Sequence, residues 1–484
     1  MHPLARPAAL SASTILCLAA ATPSWAAGEG AAKAADHAAV AAHWTGERRA
    51  KAMPRDLVVD PRGLAYLKGR DGALEPYGHA VAPLPVRAAP AGKPAGGVTD
   101  TTGPAVSAMV PAAGSRIGAA QTFSAAITDA GGVRAVTFKV RKGTAIAQSF
   151  TAAQTGTDTW SAALQGFTDG DWSWQVVARD KAGNTTTTGS VAFKVSTAAA
   201  GGSDTVTNAA WSLGGLVQRA AGRIYFEMPY QGGWGGFVCS GTVAADATTG
   251  RSVIITAAHC VYDDANKVFA RNVLFIPDQD GTTGAGTDTN CSNDPLGCWM
   301  PAFGVVDVNY TTRKFPDNDA WDYAYYVVGD TGAHAGSAAS SEALDLAVTP
   351  LPVNFGSVYH DDGSAGANSQ DFTYALGYSY SSDPNFMYCA EDMTSTNGTA
   401  NWWLSSCGLS GGASGGPWIQ PMSTVTGGGD IVSVNSWGYT NAAGMAGPKL
   451  VGTSAGCVFD AARTLAFPAA RPADGQAGSA VTCP

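Results

Sequence analysis

Eight of the chain's nine cysteines lie between positions 239 and 483. The ninth, Cys17, sits in an N-terminal stretch, MHPLARPAALSASTILCLAAATPSWA, with a positive Arg6, an apolar run over 7–21 and a small-x-small end at Ser24-Trp25-Ala26. That is the pattern of a secretory signal cut after Ala26. The apolar run is too short for a convincing membrane span, and the bulky Leu16 before Cys17 makes a poor lipoprotein signal. No later segment is long and apolar enough to cross a bilayer, so no membrane anchor is expected. Export delivers the chain to an oxidising compartment, extracellular or periplasmic. There an even set of cysteines (Cys239, Cys260, Cys291, Cys298, Cys389, Cys407, Cys457 and Cys483) reads as disulfides, which restricts the fold to one that closes them. No CxxC pair occurs and His numbers only 7, so neither a metal site nor a cofactor is expected.

The composition around this framework is that of a β-protein. Of 484 residues, 60 are Gly and 45% are hydrophobic, while only 14% are charged. This favours short strands and turns over long helices. The net charge of −9 and the lack of a basic stripe exclude nucleic-acid binding as a reading. Residues 27–98 are Ala- and Pro-rich and read as a pro-segment plus linker, cut away on maturation, with a short helix over 41–56. Residues 99–196 show period-two alternation at Val136, Phe138 and Val140, at Trp172, Trp174 and Val176, and at Val191, Phe193 and Val195. Such alternation marks half-buried strands. The spacing, an opening near DTTGP and a closing DKAGN turn resemble immunoglobulin-like or fibronectin-like β-sandwich modules, which implies either a spacer or a module that attaches to a polymer or surface ligand. After a linker over 197–209, residues 210–484 read as an antiparallel all-β domain with strands at 222–229, 236–245, 251–260, 272–277, 322–328, 372–379 and 430–438. A short helix is expected near 456–466. Asp278-Gln279-Asp280-Gly281 lacks the later ligands of an EF-hand loop and reads as an acidic turn.

Three stretches of this last domain carry chemistry. Thr256-Ala257-Ala258-His259-Cys260 follows the apolar run Val253-Ile254-Ile255, after Cys239-Ser240-Gly241-Thr242. Gly411-Gly412-Ala413-Ser414-Gly415-Gly416-Pro417 surrounds a serine with glycines. Between them, Asp319-Ala320-Trp321-Asp322-Tyr323-Ala324 offers two carboxylates. A serine hydroxyl needs a base in hydrogen-bond reach and the base needs an orienting acid. It also needs backbone donors aimed at the developing oxyanion. Glycines let the amides of Gly412 and Ser414 converge on one oxygen.

These motifs, in the order His, Asp, Ser, resemble the chymotrypsin-like (trypsin-like) serine peptidases, and residues 210–465 resemble the secreted bacterial group related to glutamyl endopeptidases. WTGERRA (44–50) is similar to a pro-region element of that group. The resemblance implies a double β-barrel and a secreted serine endopeptidase acting on protein or peptide substrates. Its triad would be His259, Asp322 and Ser414, with Asp322 preferred to Asp319. It also implies a Cys239–Cys260 crosslink, and an extended substrate pairing with Ser436, Trp437 and Gly438. Ala413 departs from animal relatives, in which an Asp before the serine pairs with the new N-terminus after zymogen cleavage. Here the loop must be held by its glycines and a nearby crosslink, for which Cys389 and Cys407 are well placed. Gly408 stands where trypsin-like enzymes carry a specificity Asp, and Asn435 where glutamyl endopeptidases carry a His, so neither preference is supported. The rival reading is a non-catalytic pseudoprotease or surface adhesin in which the sandwich module binds a partner.

Overall fold

The computed structural model describes residues 36–80, 100–195 and 204–483, apart from 112–115, 118–119, 166, 169, 286–287, 289, 332–333, 337–342, 362–365, 380–384, 397–399 and 470–475. The expected signal over 1–26 and linker stretch 82–97 lie outside the described residues. The fold is all-β in class: strands dominate, and the longest helix among the described residues is Ala455–Thr464. No helix among the described residues is long and apolar enough to cross a membrane.

Residues 105–195 form one folded-over sheet with its own core. The expected alternation is realised: Val136, Phe138 and Val140 of strand Val133–Lys142 are at most 1% exposed, while the residues between them look outward. Trp174 pairs with Val140 across the ladder and meets Phe123 edge-on at 4.9 Å. Its indole Nε1 donates to the Pro111 carbonyl at 2.8 Å, so the large ring is buried without orphaning its one polar atom.

Residues 206–481 build nine strands of a ten-stranded sheet, a five-stranded sheet and four strands of a seven-stranded sheet. The ten-stranded sheet is centred on the hairpin Ala221–Tyr230 and Gly233–Ala244, flanked by Arg251–Thr256 and Arg271–Pro277. Its strands are apolar along most of their length, and Ile224, Val243, Ile254, Phe275, Tyr325 and Val327 fill a core with no measurable exposure. A second core, with Met393, Leu404, Trp418 and Ala413, lies with the other two sheets. Four disulfides are formed: Cys239–Cys260, Cys291–Cys298, Cys389–Cys407 and Cys457–Cys483. The first and third are those the sequence pointed to. The Asp278–Gly281 turn is held by its own carboxylate: Asp280 accepts the Phe386 amide at 3.0 Å.

One strand departs from expectation. Residues 430–438 read as a single strand, yet the chain breaks at Asn435-Ser436. Ile431–Val434 belongs to the five-stranded sheet and Trp437–Tyr439 to the seven-stranded one.

Within the stretch read as pro-segment and linker, residues 36–80 pack against the sheets just described. Thr45 caps the helix Gly46–Lys51, its hydroxyl accepting the Arg48 amide at 3.3 Å. Trp44, 1% exposed, donates to the Asn272 carbonyl at 2.6 Å and tilts against Tyr225. His43 bonds Glu227 at 2.9 Å. Beyond Ala52 the expected helix gives way to strands. Met53–Pro54 pairs with Phe237 and Val238, and Asp56–Val59 joins the seven-stranded sheet beside Trp437–Tyr439. Asp56–Val59 then forms a meander with Ala65–Lys68 and Leu74–Tyr77. Pro54 explains the change, because the missing donor and fixed φ suit an extended edge and not a helix interior.

Candidate active site

The histidine turn follows directly from the strand Arg251–Thr256. Its last residues enter a short 3-10 turn, Ala258–Cys260, tied back by the Cys239–Cys260 disulfide. Asp322 ends a similar turn, Asp319–Trp321, just before the strand Ala324–Gly329. These two strands are hydrogen-bonded neighbours, with Thr256 opposite Ala324. The pairing therefore sets His259 and Asp322 face to face. The carboxylate accepts the His259 amide at 2.8 Å and the ring Nδ1–H at 2.7 Å. Both side chains are at most 1% exposed.

Two contacts from one carboxylate fix both the backbone and the ring plane of His259. With Nδ1 donating, Nε2 is the acceptor nitrogen, and this buried atom has no hydrogen-bond partner. The Ser436 hydroxyl donates to the same Asp322 Oδ2. Asp319, the other candidate, points elsewhere and accepts from Asn401 Nδ2 at 2.9 Å. Burial and the neighbouring Asp322 push its pKa up to about 7.

Ser414 lies on the loop entering strand Pro417–Ile419. Gly415 has φ +80°, and a Cβ there would come within 2.1 Å of Thr256 Oγ1 and 2.4 Å of the Ser240 carbonyl oxygen. Only glycine lets the loop pass this close to the histidine strand. Ala413 is buried among Cys389, Cys407 and Trp418 and packs on Gly377, where a Cβ would lie 2.9 Å from it. An aspartate at 413 would be a buried charge without a partner.

Two residues that sequence reasoning left without a role hold the loop. Ser240 donates its hydroxyl to the Gly412 carbonyl at 2.9 Å, accepts the Tyr378 amide at 2.9 Å, and donates its own amide to the Ser414 carbonyl at 2.7 Å. Asn435 donates Nδ2 to the carbonyls of Leu376 and Ala413 at 2.8 and 2.9 Å and accepts Trp418 Nε1 at 2.8 Å. Its backbone exchanges bonds with Gly415 and Gly416 at 2.7 and 2.9 Å. A buried Asn in the strand break at 435 is the one available signal, and it specifies no partner by itself.

The Ser414 hydroxyl donates at 3.2 Å to the carbonyl oxygen of Arg55, and the Arg55 guanidinium Nε donates at 2.6 Å to the His259 carbonyl. Ser414 and His259 thus meet on either side of one residue of the N-terminal segment. Trp437, Gly438 and Tyr439 run strand to strand with Leu57, Val58 and Val59. Ser436 instead pairs its amide with the Ala446 carbonyl. Gly408 has both backbone groups engaged by Thr207 and Asn208, at 2.7 and 3.2 Å. Asp56 faces the same groove: burial raises its pKa to about 6, against the pull of Lys68 and His259.

Cys239, His259 and Cys260 lie within metal-ligand distance of one another. The two sulfurs are joined in a disulfide and supply no thiolate. Asp100, Asp129 and Asp180 also converge, a grouping the sequence reading missed. There Asp180 is held by the amides of Gly183 and Asn184 at 2.5 and 2.7 Å.

No protein-family model matches the chain. No curated protein matches it either. Among solved structures, the endo-beta-1,4-mannanase from Thermotoga petrophila is 18% identical over 20% of this chain and 20% of that one, with a TM-score of 0.17. Fibronectin(III)-like modules of Clostridium thermocellum CbhA are 18% identical over 19% of this chain and 97% of theirs, at a TM-score of 0.15. Latent PorU from Porphyromonas gingivalis is 12% identical over 34% of this chain and 20% of its own, at 0.20. The chain spans about a fifth of the mannanase and of PorU, and TM-scores this low carry no argument about function.

Proposed function

We propose that this chain is a secreted serine endopeptidase of the chymotrypsin-like double-barrel type, related to the bacterial glutamyl endopeptidase group. The observation that carries the reading is the His259–Asp322 pair: a buried carboxylate fixes the ring by Nδ1 and by the backbone amide, which leaves Nε2 bare, while the glycine-bounded Ser414 meets the same residue, Arg55, that bonds the His259 carbonyl. Nε2 takes the proton as Ser414 Oγ attacks a peptide carbonyl carbon. Asp322 stabilises the imidazolium that forms, and the amides of Gly412 and Ser414 stabilise the oxyanion. Collapse breaks the C–N bond, the imidazolium returns its proton to the leaving amine, and water attacks the acyl-serine by the same route. Substrate would lie along Trp437 and Gly438, with the peptide backbone adding a strand.

Ser414→Ala is expected to abolish casein hydrolysis and fluorophosphonate labelling while the chain stays folded. Hydrolysis that survives this substitution would reject the assignment. The rival, a pseudoprotease whose sandwich module binds a surface or polymer, draws on the Ser414 hydroxyl facing Arg55 and not His259. It predicts that no processed form is labelled.

A further inference from the structure

We propose that the candidate cleft is also the docking surface for the chain's own residues 53–59, an arginine-pinned strap that blocks the nucleophile without being a substrate for it. This rests on the protease reading for its consequence, but not for the docking itself.

The strap closes the groove from both sides. Met53 and Pro54 add to the ten-stranded sheet at Phe237 and Val238, with the Arg55 amide donating to the Val238 carbonyl at 3.3 Å. Leu57, Val58 and Val59 add to the seven-stranded sheet at Trp437 to Tyr439, and the Thr440 amide donates to the Val59 carbonyl at 3.0 Å. Between the two pairings the chain passes over Ser414. The groove fits it closely: a Cβ on Gly411 would fall 2.6 Å from Pro54 Cβ and 2.7 Å from Asp56 Cβ, and its three nearest atoms all belong to the strap.

Arg55 is the pin. It has no measurable exposure. Its guanidinium donates to the His259 carbonyl at 2.6 Å and to the Tyr77 hydroxyl at 2.9 Å. It stands 3.6 Å from the Asp263 carboxylate and stacks over Phe237 at 5.3 Å. Tyr77, from the same N-terminal segment, bonds Asp264 in turn. A second anchor follows at once, with His79 on Asp317 at 2.8 Å and its amide on the Phe315 carbonyl at 3.1 Å.

The geometry at Ser414 is that of a block. The hydroxyl points its hydrogen at the Arg55 carbonyl oxygen. Attack requires the oxygen to lie on the Gly412 and Ser414 amides with the carbon toward Oγ. Among the described residues neither amide donates to that oxygen. The Arg55–Asp56 bond therefore survives contact with the nucleophile, and the strap leaves by dissociation or by cleavage elsewhere. Burial holds Asp56 in its acid form more readily than usual, which fits a strap that docks best before its carboxyl ionises.

The test uses the full uncut chain and two variants, Arg55→Ala and Gly411→Ala. The second leaves the strap's sequence intact and adds one methyl against it. Two measurements are made: the rate of fluorophosphonate labelling at Ser414, and hydrogen exchange of amides 55–59 and 437–440. Losing the guanidinium beside buried Asp263, which keeps donors from Ala265, Asn266 and Tyr77, is expected to speed labelling on the order of 100-fold, with protection falling in both segments and residue 55 still joined to 56 by mass. Wild-type chain that labels as fast as both variants, with exchange unchanged, overturns the strap. If no form is labelled, the protease reading fails while exchange still decides the docking: lost protection in both variants supports it and unchanged protection overturns it. Should Arg55→Ala not fold, Gly411→Ala decides alone.

Discussion

Replacing Asn435 by alanine removes three side-chain hydrogen bonds from a residue with no measurable exposure. The partners are not equally harmed. Trp418 Nε1 loses the Asn435 acceptor deep in a core, which costs the full penalty of an orphaned donor, about 1–3 kcal/mol. The Ala413 carbonyl keeps a bond from the Gly416 amide at 2.9 Å, and the Leu376 carbonyl lies in a paired strand. These two lose about 1 kcal/mol each. The total is about 4 kcal/mol, which for a unit of this size lowers the midpoint of thermal unfolding by about 8–16 °C. The measurement is near-ultraviolet circular dichroism on heating, since Trp418 reports on the packing that should loosen. Fluorophosphonate labelling should fall as well, because Asn435 holds Ala413, Gly415 and Gly416 around Ser414. Asn435→Asp separates hydrogen bonding from shape. Its second oxygen would face the two carbonyls that Nδ2 now satisfies, so it should be at least as damaging as alanine. An Asn435→Ala shift under about 2 °C, or an Asn435→Asp chain as stable as wild type, would refute the account of how this loop is held.

Ala413→Asp buries a carboxylate among Cys389, Cys407 and Trp418 and should cost about 3–5 kcal/mol, read as a lower unfolding midpoint; a neutral result would mean the site can open to water. Trp174→Ala removes the central ring of the 105–195 core at a cost of about 3–5 kcal/mol. It should lower that part's unfolding midpoint while leaving labelling of Ser414 unchanged. The strap should respond to pH through Asp56, which faces Lys68 and His259. Its pKa is about 6 when docked against an ordinary 3.8, so docking is fully supported below the free value and weakens as pH rises through about 6. Hydrogen-exchange protection of residues 57–59 should fall between pH 4 and 7, and Asp56→Asn should remove that dependence.

Where local pattern and burial agree, the sequence was readable. Val136, Phe138 and Val140 alternate because one face of their strand meets a core and the other meets water, so period alone places them. The histidine and serine motifs were readable for a related reason. His259 lies just past a strand that the apolar run announces, and the glycines around Ser414 answer a close approach that no other residue tolerates. The choice between Asp319 and Asp322 came from motif shape, while in space it turns on a strand register, Thr256 opposite Ala324. Ser240 and Asn435 could not be read at all. Apart from the Trp418 indole, their side-chain hydrogen bonds go to backbone carbonyls and amides, which leave no complementary residue type to look for. Asn435 also sits where an apparently continuous strand, 430–438, passes from one sheet to another.

The N-terminal segment was illegible for a different reason. Leu57 pairs with Trp437, a contact across nearly the whole chain, and Ala- and Pro-rich flanks hide a short run, Leu57-Val58-Val59, too brief to announce a strand. Its order comes from its partner: a groove bordered by two sheet edges offers backbone donors and acceptors on both sides, and any extended segment tethered nearby gains by filling it. What makes this segment the one that fits is a single buried cation. A hydrophobic strap could supply the ladder, but buried Asp263 would then lose its guanidinium and Asp264 a hydroxyl donor, a cost of several kcal/mol. Arg55 meets one directly, and Tyr77 meets the other. The arginine that reads in sequence as one more charge in a linker is therefore what permits the groove to close.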